Sequence, residues 1–190
     1  MQHGAWLDDE VINEAVRAHV ACLGPAARLV TSLATETAMR PHGVKVLRNM
    51  FRETDGLRFV FFIVHADGHW SFALLVLDSQ PATLYHIDSI TTRRSPFHEP
   101  VATLLAKALA NCGRFGPTIN VIFPGEAGGQ EDLWECGWYV IAAARVSAEA
   151  AAAAGPFDES GYLATLWNTF HDLRVQLRVP MGNHGDPDAN

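Results

Sequence analysis

The chain has 190 residues, a length that favours one domain with one substantial core. Hydrophobic residues make up 48% of it and charged residues 18%, which excludes a coiled coil, a collagen-like repeat and wholesale disorder. The formal net charge is -7 and no run is rich in Lys or Arg, which argues against a nucleic-acid-binding protein.

The first part of the chain is predicted to be helical. Polar and apolar residues alternate at helical spacing from Leu7 to Leu23, and Gly24-Pro25 ends that segment. A second short helix is expected within Ala26 to Arg40. The pattern of Val44 to Met50 is ambiguous between helix and strand.

Three apolar segments follow, rich in Val, Ile, Phe and Leu and separated by turn residues: Leu57 to His65, Trp70 to Asp78 and Thr83 to Asp88. Their short connections predict an antiparallel meander. Their nearly continuous apolar character indicates burial on both faces.

The later elements return to helical spacing around one more strand. We predict helices at Val101 to Cys112, Gly137 to Ala154 and Tyr162 to Leu177, and a strand at Ile119 to Phe123. This order predicts an α+β fold, with a central, mainly antiparallel sheet flanked by helices. We expect one domain over residues 1–179 and a flexible polar tail over residues 180–190.

Several features favour an intracellular protein of the cytoplasm or nucleus. The start lacks a signal-peptide pattern, and the longest apolar runs, Phe59 to Val64 and Phe72 to Leu77, are too short to span a bilayer. Three cysteines without a CxxC motif fit neither a disulfide framework nor a structural zinc site. The compact, Ala-rich chain would also suit a bacterial effector or a viral protease inside a host cell.

Cys136 is the candidate nucleophile. It follows a loop that contains glycine and opens a predicted helix, where the helix dipole and unpaired N–H groups favour thiolate over thiol. Gly137 would let a substrate backbone approach, and the N–H of Cys136 could bind an oxyanion. Cys22 and Cys112 lie in apolar helical patterns and are expected to be structural.

A thiol nucleophile needs a base and a group that orients it. His69 lies at a strand end beside Trp70 and is the candidate base. Among the nine histidines, His65 is the main alternative for this role. In a meander, the start of the second strand and the end of the third meet at one edge, so Asp88 can adjoin His69. Gln130, in the loop before Cys136, could direct its amide at the oxyanion.

Four segments of the sequence then match a known pattern: Trp6 to Asn13 (WLDDEVIN), Ile63 to Trp70 (IVHADGHW), Leu84 to Ser89 (LYHIDS), and the Q-x5-C-G spacing from Gln130 to Gly137. Their order and spacing resemble the SUMO-protease and deneddylase group, within the clan of adenovirus-protease-like cysteine proteases. The resemblance covers residues 6 to about 145. Glu135 departs from it, because aspartate is common before the nucleophile.

The resemblance implies a role for each matched residue. Cys136 would be the nucleophile, His69 the general base, Asp88 its orienter and Gln130 the oxyanion-hole amide. Trp6 and Trp70 match two tryptophans that wall a narrow tunnel, which only a diglycine segment can thread. No metal or cofactor is implied.

The function implied is that of a thiol protease or isopeptidase. It would cut after the C-terminal diglycine of ubiquitin, SUMO or NEDD8, as a deubiquitinase or a SUMO protease. Two alternatives stay open: a related acetyltransferase that uses acetyl-CoA, and an inactive module that binds ubiquitin-like proteins. We expect a monomer with no nucleic-acid or membrane partner.

Overall fold

A mixed five-stranded sheet forms the middle of the molecule in the computed structural model, which describes residues 7–53, 55–90, 98–124 and 135–178. The strands are β1 (Ala27–Val30), β2 (Phe59–Ala66), β3 (His69–Val76), β4 (Ala82–Ile87) and β5 (Ile119–Ile122). The helices are α1 (Asp9–Ala21), α2 (Ser32–Met39), α3 (Val44–Met50), α4 (His98–Cys112), α5 (Cys136–Ala152) and α6 (Glu159–Arg178).

The sheet order is β1-β2-β3-β4-β5. The three central strands form the predicted antiparallel meander, and each edge strand pairs in parallel with its neighbour. The α+β class is therefore confirmed. The predicted tail, residues 180–190, lies outside the described residues.

Helices cover both faces of the sheet and create two cores. Alternate residues of β2 show this, since Phe61 and Ile63 pack with α1, α5 and α6, whereas Phe62 and Val64 pack with α2, α3 and α4. Side chains alternate between the faces of a strand, so a strand buried on both sides is apolar at every position. This explains the continuous apolar segments in the sequence.

The short helix expected within Ala26 to Arg40 is α2, Ser32–Met39, but the strand before it was not predicted. Ala27–Val30 is strand β1, which pairs with Phe59–Phe62 of β2, and the helix begins only at Ser32. The short segment satisfies backbone groups along the edge of β2, so tertiary pairing overrides its weak local preference. The ambiguous segment Val44–Met50 is helix α3.

The core should be sensitive to the loss of apolar volume from β3. Leu74 is fully buried, so Leu74→Ala should lower the free energy of unfolding by about 3 kcal/mol, through lost burial and a residual cavity. Leu33 is 69% exposed and provides a control with the same chemical change, expected to cost less than about 0.5 kcal/mol. Chemical denaturation of both variants measures the difference, and equal losses would contradict this assignment of the core.

None of the helices in the described ranges combines the length and apolar character needed to cross a bilayer.

Candidate active site

The register of the meander brings together His69 and Asp88, the predicted base and its predicted orienter. His69 is the first residue of β3, and Asp88 directly follows the last residue of β4. Phe72 pairs with Ile87, which places the end of β4 beside the start of β3. The Nε2 atom of His69 lies 2.7 Å from Oδ1 of Asp88. Because a carboxylate can only accept, Nε2 carries the hydrogen and donates it.

The carboxylate of Asp88 is held in place by a second contact. Its Oδ1 accepts a hydrogen bond of 2.9 Å from the backbone N–H of Ile90, and only 1% of the side chain is exposed. A buried carboxylate with two donors keeps its charge and its orientation. Asp88 can thus fix both the ring orientation and the tautomer of His69.

Cys136, at the start of a helix, is the third member of this cluster. It is the first residue of α5, it is fully buried, and its side chain hydrogen-bonds to the imidazole of His69. Since Nε2 of that ring bonds to Asp88, Nδ1 is the nitrogen left for the sulfur. The structure therefore brings together a thiol, an imidazole and a carboxylate in the order that nucleophilic catalysis requires.

The surroundings of His69 favour its charged form. Burial lowers the pKa of His69, but the hydrogen bonds to Asp88 and Cys136, with the negative charge of both partners, raise it by more, to about 9. An imidazole that is protonated at neutral pH stabilises a thiolate beside it. The site is thus electrostatically suited to an ion pair between His69 and Cys136.

This shift predicts how stability depends on pH. The pKa of His69 is raised from its ordinary value of 6.5 to about 9 in the folded state. Its contribution, about 3 kcal/mol, is therefore complete below pH 6.5 and is lost as pH rises through about 9. Urea denaturation across this window should show a falling free energy of unfolding, and His69→Asn should flatten the slope. Equal slopes in both proteins would contradict the assigned shift.

Gly137 has a packing role that the sequence did not indicate. A Cβ atom added there would lie 3.0 Å from Cδ1 of Ile12 and 3.1 Å from Cβ of Leu7. The missing side chain therefore lets the start of α1 pack closely on the first turn of α5, beside Cys136. The predicted approach of a substrate backbone to Gly137 stays a prediction.

The competing histidine, His65, has a different partner. Its ring stacks on the indole of Trp70, with ring centroids 4.3 Å apart, whereas His69 makes the bond to Asp88. Trp70 is 7% exposed and belongs to the core on the α1 side. Its role as a tunnel wall stays a prediction. Trp6 and Gln130, the other two predicted site residues, lie outside the described residues.

Sequence reasoning missed a second polar pair beside the first. Ser71 and His86 are buried, and Oγ of Ser71 lies 3.1 Å from Nε2 of His86. Ser71 is two residues after His69, and His86 two residues before Asp88, so all four share one face of the sheet. This spacing of two was the available signal, but a histidine inside an apolar strand suggested only core packing.

In the described part of the chain, no cluster of three or more His, Cys, Asp or Glu side chains could hold a metal ion. All three cysteines are free thiols.

Comparison with known proteins gives a match in structure rather than in sequence. No protein-family model matches the chain, and no curated protein does. The yeast Ulp1 protease domain in complex with Smt3, the yeast ortholog of SUMO, superposes with a TM-score of 0.63 at 17% identity, covering 91% of this chain and 79% of that chain. The Xanthomonas campestris effector XopD, bound to ubiquitin, gives a TM-score of 0.65 at 17% identity, covering 90% and 93%.

A third solved structure, the Ulp1-like SUMO protease catalytic domain of Chaetomium thermophilum, gives a TM-score of 0.62 at 20% identity and covers 89% of this chain and 72% of that one. The chain has the Ulp1-like protease fold. At these identities the likeness establishes the fold alone. Within the Ulp1-like fold, the chemistry of this chain has to be argued from its own residues.

Proposed function

We propose that this protein is a cysteine protease or isopeptidase that cleaves after the C-terminal diglycine of ubiquitin or a ubiquitin-like modifier. The observation that carries the proposal is the buried cluster of Cys136, His69 and Asp88, in which the imidazole bonds to both the thiol and the carboxylate. The Ulp1-like fold supports it, since neighbours with this fold are SUMO proteases.

The reaction proposed is acyl transfer in two halves. The thiolate of Cys136 attacks the carbonyl carbon of the terminal glycine, and the protonated His69 donates its proton to the leaving lysine amine. Water then attacks the thioester while His69 accepts a proton from it, which frees the modifier and restores the thiolate of Cys136 beside the protonated His69. Asp88 keeps the imidazole oriented in both halves.

The oxyanion that forms during attack needs donors. The backbone N–H of Cys136 lies at the start of α5, where the helix dipole is positive. The amide of Gln130 is the proposed second donor, and Trp6 and Trp70 are the proposed walls of the diglycine slot. These three assignments come from the sequence resemblance.

The partner is expected to be ubiquitin, SUMO or NEDD8, free or conjugated. Two structural neighbours support this class of partner, one in complex with Smt3 and one bound to ubiquitin. We further propose that the enzyme acts as a monomer inside cells, in the cytoplasm or nucleus, where thiols stay reduced.

A panel of activity probes tests the proposal directly. Ubiquitin, SUMO and NEDD8, each with an electrophile in place of the terminal carboxylate, are incubated with the protein, and the adducts are mapped by mass spectrometry. At least one probe should attach to Cys136, and the reactive probe identifies the modifier. Cys22 is an exposed thiol and serves as an internal control that should stay unlabelled. No adduct at Cys136 with any of the three would overturn the proposal, and acetylation of Cys136 by acetyl-CoA would favour the acetyltransferase alternative.

A further inference from the structure

A recess of about 620 Å³ lies at the end of the sheet opposite to the catalytic cluster. One of its walls is the turn between β3 and β4, and another is the connection between α4 and β5. His69 begins β3 and Val76 ends it, so seven steps of about 3.4 Å each separate the recess from His69 by roughly 24 Å. Small-molecule pockets have volumes of roughly 300 to 1,000 Å³, and the recess therefore has the size of a separate ligand site.

Large apolar side chains line this recess and keep part of their surface uncovered. Leu57, Leu77 and Phe115 all line it, and each of them is only half-buried. The ring of Phe115 is fixed from the side of the core, because it meets the ring of Phe51 edge-on, with centroids 4.9 Å apart. A ligand that covered these three side chains would remove apolar surface from water, which favours binding.

The recess also contains one charged side chain, the guanidinium of Arg114. Within the described part of the chain, Arg114 makes no ion pair with a carboxylate. Asp78 is close to the recess along the chain, but its carboxylate is already bonded to Arg58, with Oδ1 2.9 Å from Nε. Glu53 and Asp55, the acidic residues before β2, are exposed to solvent, where charge interactions are weak. The positive charge of Arg114 is therefore available to a ligand.

A second guanidinium lies at the same end of α4. Arg48 donates a hydrogen bond from Nη2 to the backbone oxygen of Asn111, 2.9 Å away, in the last turn of that helix. This cation offsets the negative end of the helix dipole, which would otherwise disfavour an anion near Arg114. The whole chain has a net charge of -7, so an anion gains from such a local positive potential only at selected places on the surface.

The combination of an apolar lining and one cation indicates the chemistry of the ligand. The planar guanidinium of arginine pairs well with a carboxylate, through two parallel N–H···O bonds. Gln80 and Thr118 add neutral polar groups to the lining. A wholly apolar ligand would leave the charge of Arg114 unused, and a small inorganic anion would leave the apolar side chains uncovered.

We propose that this recess binds a small organic carboxylate with an apolar body. The carboxylate pairs with Arg114, and the hydrocarbon part covers Leu57, Leu77 and Phe115. This site lies apart from Cys136, and its occupation does not depend on the function proposed for that residue.

Octanoate is the probe that tests the proposal, and 1-octanol, which has the same chain length without the charge, is its matched control. Each is titrated at neutral pH into the full-length protein while the methyl signals of Leu57 and Leu77 are followed by NMR. Octanoate should shift both sets of signals saturably. The methyl signals of Ile12, which packs beside Gly137 near the catalytic cluster, should stay in place.

Arg114→Gln should weaken the binding of octanoate by roughly tenfold, because the charge-assisted hydrogen bonds are lost, and should leave the binding of 1-octanol unchanged. Arg114 is exposed, so the fold should tolerate this change. Arg145→Gln removes an exposed arginine from α5 instead, and should alter neither affinity.

Two results would overturn the proposal. One is the absence of a saturable response of Leu57 and Leu77 to octanoate in the wild-type protein, which needs no variant to be observed. The other is an Arg114→Gln protein that binds octanoate as tightly as the wild type, or that loses octanoate and 1-octanol binding equally. Labelling of Cys136 by the modifier probes is a separate measurement, so failure of one proposal leaves the other standing.

Discussion

Cys136→Ala should lower kcat/KM for a diglycine-terminated modifier by roughly 10⁴-fold or more, because the proposed acyl intermediate forms on the sulfur that this change removes. The sulfur is fully buried within the core on the α1 side, and alanine fills most of the same space. The free energy of unfolding should therefore change little apart from the lost bond to His69. Release of a fluorescent leaving group from the modifier identified by the probe panel measures the rate.

Cys22→Ala is the matched control for this experiment. Cys22 is exposed, and its Sγ donates a hydrogen bond to the backbone oxygen of His19, 2.9 Å away. Its loss should leave kcat and KM unchanged. Binding of the modifier to Cys136→Ala should persist, because the substrate surface is intact. If Cys136→Ala retained wild-type turnover, the nucleophile would have to be another residue.

Asp88→Asn should lower kcat by roughly 10² to 10⁴-fold, with a smaller effect on KM. The amide of asparagine is neutral and lacks the negative charge with which Asp88 accepts the hydrogen bond from Nε2 of His69. The tautomer and the orientation of the ring are therefore no longer fixed. The pKa of His69 should also fall from about 9, because burial still lowers it while one of its two stabilising partners is gone. NMR titration of the His69 ring provides a readout that a merely structural defect would not reproduce.

Asp78→Asn is the corresponding control at the far end of β3. Asp78 bonds to the guanidinium of Arg58, with Oδ1 2.9 Å from Nε, and it lies at the other end of β3 from His69. This change removes a carboxylate and a salt bridge without touching His69. We expect unchanged kcat and an unchanged pKa of His69. A similar loss of activity in both variants would indicate that general destabilisation, rather than the orientation of His69, explains the effect at Asp88.

The local sequence pattern was sufficient to predict the helices and strands that have a strong and unambiguous periodicity. The helix at Asp9–Ala21 was predicted within two residues of its start and end. The three central strands were also predicted, since short apolar segments that are rich in β-branched and aromatic residues and lie between turn residues favour buried strands. The adjacency of His69 and Asp88 followed from the meander, because consecutive antiparallel strands return to the same edge.

Segments whose conformation depends on distant partners were not predictable in this way. β1 was not predicted, because its strand conformation comes from pairing with β2, which lies far along the chain. Likewise, the backbone N–H of Ser32 donates a hydrogen bond of 3.2 Å to Oδ1 of Asn13. This bond joins α1 to the start of α2, and no local sequence pattern predicts it.

The amino-acid sequence by itself determined the class of the fold, the central meander and the identity of the three groups that could carry chemistry, because these depend on periodicity and on the order of elements along the chain. Only the tertiary structure decided which histidine bonds to Asp88 and that this imidazole also meets the Cys136 thiol. Hydrogen bonds and buried charges depend on distances of a few ångströms between separate elements, and such distances arise only when the helices and strands have packed.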